Sequence, residues 1–577
     1  MKQNIRLFRT SNSLWSKFLD SNPQFYREIR GKSKPKNIIT AAALSVIVQF
    51  LLVIYCLGQL PDISNEQLQR GRYGVATYDN SIYYIKNELG HWIVNWQLWW
   101  LDLFIILSFI AIFTLLVAGT YMLVSDMVKE TEKGTLNFIR LTPQSASSVL
   151  LGKILGVPIL LYTAVALLLP LHLMAGLQSH IPVGLILIFY LTIAACCFLI
   201  YSLALFWSLL NIGIVGFKPW LASGLVAVFF WYSTVFLFHG HSDLDHFLAL
   251  ILIFNPGMMI GYLVDAAQFD YGKVFSFLSV DDLATLSFYG QTFWAKASVG
   301  ISLMLINFGS WTYLCWSVLK RYFRNPDNTI LSKTHSYWLT TWFIIVSLGF
   351  TLQKSFPYYR HNTNVFADNF IFLQVCLSLF SLCLIFALSP HRQNLHDWAR
   401  YYYQANKQSS LWRELVLGEN SPGIIAVALN LAIAIALITP SIFLILPQTE
   451  HHFFWGLVLS ATNILLCCVI VQSTLTSKTR KRGAWSIVTL ASITVLPLVF
   501  LGVFEVTIRE MPVAWLFSFV PTMAAEYASA SAIAFALCGQ WLAILIVSLQ
   551  FARKLKQAGA SETKILMNRS NALKGGG

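Results

Sequence analysis

The sequence is short of charge. Only 11% of its 577 residues are Asp, Glu, Lys or Arg, where a soluble globular protein carries about a quarter. Set against a hydrophobic content of 56%, that scarcity excludes an ordinary soluble enzyme or binding module and points to a polytopic membrane protein. Acid is the scarcer sign, with 26 Asp and Glu against 40 Lys and Arg and a formal net charge of +14. In a soluble chain such an excess would suit nucleic acid. Its distribution here argues against that partner. With spans laid on the apolar runs, all but eight of the Lys and Arg fall on one side. The positive-inside rule makes that side cytoplasmic, where basic residues meet anionic lipid head groups.

Other absences narrow the class. All nine Cys lie in or beside apolar runs, including Cys196-Cys197 and Cys467-Cys468, and no pair brackets an aqueous loop. Buried thiols are expected rather than disulfides. The first 36 residues are basic and polar, so no cleavable signal peptide is expected. Gly31-Lys32-Ser33 is not a phosphate loop, because Tyr26 stands where the motif needs its first Gly, and Gly152-Lys153 fails in the same way. ATP and Mg²⁺ would therefore come with another chain. Acids at mid-membrane are also scarce. Asp102, Glu505 and Glu510 sit near span ends and Asp265 and Glu526 at or near the outer hairpins, where water is expected to reach them. A proton- or sodium-coupled carrier usually needs such acids deep in the bilayer.

What the sequence does have is length of apolar run. A helix needs about 20 apolar residues to cross a bilayer. Twelve segments qualify or come close: Ile38–Leu57, Trp99–Val124, Val149–Met174, Ile181–Leu210, Trp220–Phe238, Ala297–Leu319, Tyr337–Leu352, Phe370–Leu388, Ile424–Leu446, Phe453–Val471, Trp485–Val503 and Ala532–Leu549. The expected fold is an all-α integral membrane protein of about twelve transmembrane helices in two six-span halves, 1–320 and 321–577, with both termini cytoplasmic. Phe247–Val264 and Trp515–Tyr527 carry Pro and polar residues without a basic flank, and are expected as re-entrant helices on the outer side. Trp92, Trp96, Trp99 and Trp100 gather where the loop Gly58–Asn95 re-enters the membrane, as an aromatic belt does.

Two internal matches compete. Phe254-Asn-Pro256-Gly-Met258-Met-Ile-Gly-Tyr262 shares four of nine positions with Phe519-Val-Pro521-Thr-Met523-Ala-Ala-Glu-Tyr527, which supports a six-plus-six duplication. Tyr26-Arg27-Glu28…Gly31…Ser33-x-Pro35 matches Trp412-Arg413-Glu414…Gly418…Ser421-Pro422. The latter precedes the ninth span where a simple duplication wants the seventh.

One polar stretch stands between two apolar runs: Asp126 to Lys153, with Glu130-Thr-Glu132-Lys133-Gly134-Thr135-Leu136 at its head. Glu130, Glu132 and Lys133 suit a solvated turn, and Gly134 permits a break. Leu136, Phe138, Ile139 and Leu141 offer an apolar face for docking. Thr142-Pro143 stops one helix and Ser145 caps the next, while Gly152 lets a helix start close to a neighbour. Upstream, Phe25-Tyr-Arg27-Glu28-Ile-Arg-Gly-Lys-Ser-Lys-Pro-Lys reads as an interfacial amphipathic helix with Phe25, Tyr26 and Ile29 toward lipid. On their own these features also fit an ordinary loop and an anchor.

The order and spacing of Glu132-x-Gly134-Thr135-Leu136, Thr142-Pro143 and Gly152-Lys153 resemble the coupling segment of type-2 ABC exporter permeases. The resemblance covers about 25 residues and extends loosely over 1–320. It implies a permease of the bacterial plasma (inner) membrane that moves a substrate by alternating access, driven by two cytoplasmic ABC ATPase subunits. Glu130, Glu132, Gly134, Thr135, Leu136, Arg140, Thr142 and Pro143 would couple to the ATPase. Arg27 and Glu28 would contact the ATPase or the coupling segment, and Pro256 and Pro521 would shape an outer gate. One chain carrying both halves implies a monomeric pore. In the second half, Ser389–Asn420 lacks Glu-x-Gly-Thr-Leu and Thr-Pro, so its coupling is expected to differ. His239, His241, Asp243 and His246 form the one cluster with metal-ligand chemistry, though a polar turn explains them as well. An intramembrane lipid- or polysaccharide-modifying enzyme using that cluster, and a non-transporting scaffold, stand as alternatives.

Overall fold

The structure is a computed structural model that describes residues 22–62, 69–78, 81–210, 215–239, 247–268, 280–354, 363–405, 411–446, 451–479 and 481–559. Among them the protein is helical, apart from two small antiparallel pairs in the loop after the first span: β1 (Ala76–Tyr78) with β2 (Ser81–Tyr83), and β3 (Ile85–Lys86) with β4 (Trp92–Ile93). The chain divides into two compact units. The first ends at Arg324 and the second runs from Asn325, taking with it the short pieces Asp245–Ala249 and Ser287–Gln291.

The first unit contains α1 (Pro23–Lys32), α2 (Pro35–Leu57), α3 (Trp96–Glu132), α4 (Thr135–Arg140), α5 (Ala146–Gly156), α6 (Ile159–Gln178), α7 (Val183–Leu209), α8 (Lys218–His239) and α9 (Ala297–Arg324). Helix α2 packs on α6, α3 on α6, α7 and α8, and α9 on α7. Several polar side chains inside these contacts are satisfied locally. Ser45 donates to the Ala164 carbonyl at 2.7 Å, and the Trp316 indole donates to Ser202 at 2.8 Å. The second unit contains α10 (Lys333–Thr351), α11 (Thr363–Ala387), α12 (Arg392–Ala405), α13 (Leu411–Leu417), α14 (Ile424–Ile445), α15 (His452–Leu475), α16 (Arg482–Val503) and α17 (Ala530–Gly559). Helix α15 is its hub, packing against α11, α14, α16 and α17.

Eleven of these helices are long and apolar enough to cross a membrane: α2, α3, α6, α7, α8, α9, α11, α14, α15, α16 and α17. The protein is thus a multi-pass helical membrane protein. The expected span at Tyr337–Leu352 is not among them. It lies in α10, which is 19 residues long but carries a polar face. Thr340 donates to Asn430 at 2.8 Å and Asn430 donates to Ser336 at 2.9 Å. Ser336 and Thr340 thus face α14, which lowers the apolarity of α10 while these two groups stay buried. The even count that would place both termini on one side rests on this helix. Phe247–Phe254 and Pro256–Ala266 form a pair bent by 91°. Trp515–Tyr527 holds only short helical turns, at Pro512–Trp515 and Thr522–Ala525.

Two expectations for the loop Gly58–Asn95 change. Asp102, expected to be hydrated, is 5% exposed. It accepts from Arg72 Nε at 2.5 Å and Nη2 at 3.0 Å, so the loop clamps the head of α3 through a bidentate pair. Burial works against the Arg72 charge, but the hydrogen bonds and charge of Asp102 outweigh it and hold Arg72 above its ordinary pKa. Of the expected belt, Trp96 is exposed while Trp99 is buried and donates to the Cys56 carbonyl at 2.9 Å, so Trp99 joins two spans.

Arg72→Ala would strand the Asp102 carboxylate. Breaking a buried pair costs about 3–5 kcal/mol. The Arg72 side chain is 37% exposed, which reduces the expected loss to about 2 kcal/mol. Thermal unfolding in detergent should show a lower midpoint for Arg72→Ala and partial recovery in Arg72→Ala with Asp102→Asn. Equal midpoints for wild type and Arg72→Ala would show that the pair does not hold the loop.

Candidate functional site

Helix α1 begins where Asn22 accepts from the Phe25 amide at 3.1 Å and Pro23 fills the first turn. The Asn22 amide also donates to the Ser148 carbonyl at 2.9 Å, tying α1 to the start of α5. The two helices lie very close. A Cβ on Gly152 would come within 2.8 Å of the Phe25 nitrogen, and one on Gly156 within 2.5 Å of Glu28 Cβ. Any side chain at either position would push α1 away.

Helix α3 supplies the third side. Its 37 residues extend about 55 Å at 1.5 Å per residue, well beyond the ~30 Å hydrocarbon thickness. Its last turns therefore project past the apolar layer. They carry Asp126 and Glu130, four residues apart and on one face.

Lys153 of α5 stands at the centre. Its side chain is 1% exposed, and its ammonium lies 2.7 Å from Glu28, 2.6 Å from Asp126 and 2.8 Å from Glu130. Lys32 bridges Glu28 at 3.1 Å and Asp126 at 2.9 Å. Arg27 pairs with Glu130 and reaches Glu28 at 3.2 Å, and Gln24 donates to Glu28 at 2.8 Å. Three cations, Arg27 and Lys32 of α1 and Lys153 of α5, thus face three carboxylates, one from α1 and two from α3. The carboxylate oxygens lie within 4.8 Å of one another, a spacing that could hold a metal ion, but Lys153 bonds all three and already supplies the positive charge.

Burial by itself would raise the Glu28 pKa. Lys153 and Lys32 outweigh that and the neighbouring Asp126, and hold it below its ordinary value of 4.5. Burial likewise acts to lower Lys153, but Asp126, Glu28 and Glu130 together raise it above 10.5.

Above this base, residues 133–145 form a short projecting arm. Gly134 takes φ +71°, a left-handed turn that ends α3 and starts α4. Thr135 donates to the Glu130 carbonyl at 3.1 Å, and Thr142 to the Ile139 carbonyl at 2.7 Å. Pro143 lies in the break between α4 and α5, and Ser145 caps α5 by accepting from the Ser148 amide at 3.1 Å. Arg140 stacks over the Phe323 ring at 5.6 Å, holding α4 against the end of α9. Glu132 is exposed.

The expected four-residue apolar face is divided. Leu136 and Ile139 turn inward at 3% and 6% exposure, while Phe138 and Leu141 face outward at 74% and 85%. The 100° per residue of a helix separates them. In α1, Phe25 packs into the fold at 5% exposure while Tyr26 is exposed, because Phe25 lies on the side of α1 that approaches Gly152 and Gly156. Glu28 also points inward.

Sequence reading found Arg27, Glu28 and Glu130 but missed Lys32, Asp126 and Lys153 as their partners. A lone lysine within SSVLLGKILG was the available signal, since an ionisable group in an apolar run needs a partner.

No family model, curated protein or solved structure matches the chain.

The second unit fixes its own short helix differently. Lys333, 2% exposed, donates to the Leu415 carbonyl at 2.7 Å, Ser421 Oγ at 2.6 Å and the Pro422 carbonyl at 3.1 Å. Glu414, the counterpart of Glu28 in the second sequence match, accepts from the Trp398 indole at 2.9 Å. A buried lysine holds a short helix ahead of a span in both units, but only in the first is it bonded to carboxylates. Pro256 and Pro521 are buried, each in its own unit. Asn255 donates to Ser233 at 2.8 Å and accepts from the Gly257 amide at 2.8 Å, while Thr522 donates to Gln374. The side chains of His239, His241, Asp243 and His246 lie outside the described residues.

Lys153→Met would leave three carboxylates without their common partner. The expected loss is about 3–5 kcal/mol, read as a lower unfolding midpoint, with part restored by adding Glu28→Gln. Since the folded Glu28 pKa is depressed, its contribution is full above 4.5 and falls as pH drops through the lowered value. Lys153 behaves oppositely, contributing fully below 10.5 and less as pH rises through its raised value. Glu28→Gln should flatten the acid limb of stability against pH. An unchanged acid limb would show that Glu28 is not engaged.

Proposed function

We propose that the chain is the membrane-spanning permease of an ATP-driven exporter of the ABC type, in a bacterial plasma membrane, with the arm 133–145 docking on a cytoplasmic ATPase subunit. One observation carries this reading: a rigid ionic base under an arm whose tip exposes two large apolar residues, Phe138 and Leu141. Exposed residues of that size on a projecting polar segment are suited to a partner's groove. The base supports mechanical coupling. Force on a loosely attached loop would dissipate, whereas force on this arm reaches α1, α3 and α5 together. Glu132 and Thr135 would meet the ATPase at the exposed turn, and Gly134 would set its angle. Pro256 and Pro521 remain the proposed gate elements.

Among its described residues the second unit shows no equivalent ionic base. Its candidate counterpart is α12, whose Arg392–Ala405 sequence is amphipathic and which packs on α17. Two ATPase subunits would then meet unlike surfaces, with the stronger coupling at the first. ATP and Mg²⁺ would be held by those subunits.

Affinity purification of the tagged chain from its native membrane should bring down a P-loop ATPase. Phe138→Asp with Leu141→Asp should lower recovery of that ATPase at least tenfold without changing the unfolding midpoint, since both side chains face solvent. If no ATPase accompanies the wild-type chain, the exporter reading fails. Equal recovery with the double variant would move docking away from the arm.

A further inference from the structure

The first unit also holds a cavity of about 560 Å³ that the coupling network does not use. Helices α3, α6 and α7 enclose most of it, with the end of α5 at one edge. Its size falls within the roughly 300–1,000 Å³ of small-molecule sites. The lining is apolar except for a few hydroxyls, one imidazole and the Cys197 thiol, itself only a weak donor. Leu155 and Leu169 on its rim are partly exposed, and Leu167, Leu187 and Leu191 nearby face outward. On membrane-spanning helices such a surface meets acyl chains, so the cavity opens sideways toward lipid.

The polar groups are built in and point one way. Ser108, fully buried, donates to the Phe104 carbonyl at 2.8 Å. A serine has one proton, so the 2.8 Å bond to His172 Nε2 is donated by the imidazole. His172 Nδ1 is then an acceptor, and Tyr190 donates to it at 2.8 Å. This tautomer is assigned from the hydrogen-bond network. Tyr201 commits its proton to the Leu115 carbonyl at 2.7 Å, and Tyr162 to the Ile154 carbonyl at 2.9 Å. All three tyrosines therefore offer the cavity only oxygen lone pairs.

The Tyr201 bond has a visible cause. Helix α3 widens into a π-helical turn at Thr114–Ala118, and Leu115 lies in that turn. A Cβ on Gly119 would sit 2.1 Å from the Tyr201 oxygen, so glycine admits the ring. Single π-turns of this kind recur at binding sites.

We propose that this cavity binds a neutral lipid alcohol, its chain against the apolar wall and its hydroxyl donating to the Tyr190 oxygen. An acceptor-only wall excludes fatty acids and phospholipid phosphates, because an anionic oxygen would lose its water and find no donor. It also disfavours an ammonium, since no carboxylate lines the cavity. Binding of this kind requires no ATPase and stands apart from the exporter reading.

The test uses the full chain in nanodiscs with a diazirine-bearing long-chain alcohol, and the matching diazirine fatty acid as control. The alcohol should label peptides of α6 and α7 around Tyr162 and Tyr190. Dioctanoylglycerol should compete and palmitate should not. Tyr190→Phe should reduce labelling about five- to tenfold, the value of one hydrogen bond. Ala194→Trp, which fills the rim of the cavity, should abolish it while the unfolding midpoint is retained. Equal or stronger labelling by the fatty acid would overturn the acceptor-only assignment. Labelling confined to other helices, or unaffected by Ala194→Trp, would overturn the site.

Discussion

A buried ammonium bonded to three carboxylates is the constraint on which the first unit's projecting end depends. Lys153, on its own short helix, draws together Glu28 from a surface helix and Asp126 and Glu130 from a membrane span. None of those charges is tolerable alone at that depth. Desolvation costs each ion several kcal/mol, and only mutual pairing with added hydrogen bonds offsets it. Lys32, Arg27 and Gln24 supply those further bonds. The cluster therefore gives little net stability relative to an apolar core, but it fixes one arrangement. Displacing α1, α3 or α5 would uncover a charge.

That specificity gives the arm its meaning. Residues 133–145 contain a left-handed glycine, a six-residue helix and a proline break, which alone would make a pliable loop. Anchored at both ends, with Leu136 and Ile139 tucked inward, the arm holds Phe138 and Leu141 outward. The second unit uses a buried lysine too, but bonds it to neutral oxygens. The two anchors are thus chemically unlike.

Much of the fold was legible. Apolar runs near 20 residues mark spans directly, because the bilayer sets both their length and their composition. The exception is instructive. Helix α10 hides Ser336 and Thr340 against Asn430, so its hydropathy understates how well it is packed. The site was only half legible. Gly134, Thr142, Pro143 and Ser145 announce local turns that need no tertiary knowledge. The ionic cluster joins Lys153 to Glu28, 125 residues away, and to Asp126 and Glu130 on another helix, and no local pattern encodes that pairing. Asp126 and Glu130 at helical spacing and a lone lysine in an apolar run were visible signs of it. The acceptor-only cavity was not visible at all, since Ser108, His172 and Tyr190 look like ordinary residues in three separate spans.

Lys153, bonded to all three carboxylates, holds the arm in one orientation. Spin labels on Gly31→Cys and Leu141→Cys, at exposed positions of α1 and the arm tip, read that orientation as a distance distribution by electron–electron resonance. With the native cysteines replaced, the distribution should be single and narrow, broadened several-fold by Lys153→Met in protein that still folds. A distribution equally narrow with and without Lys153 would contradict it.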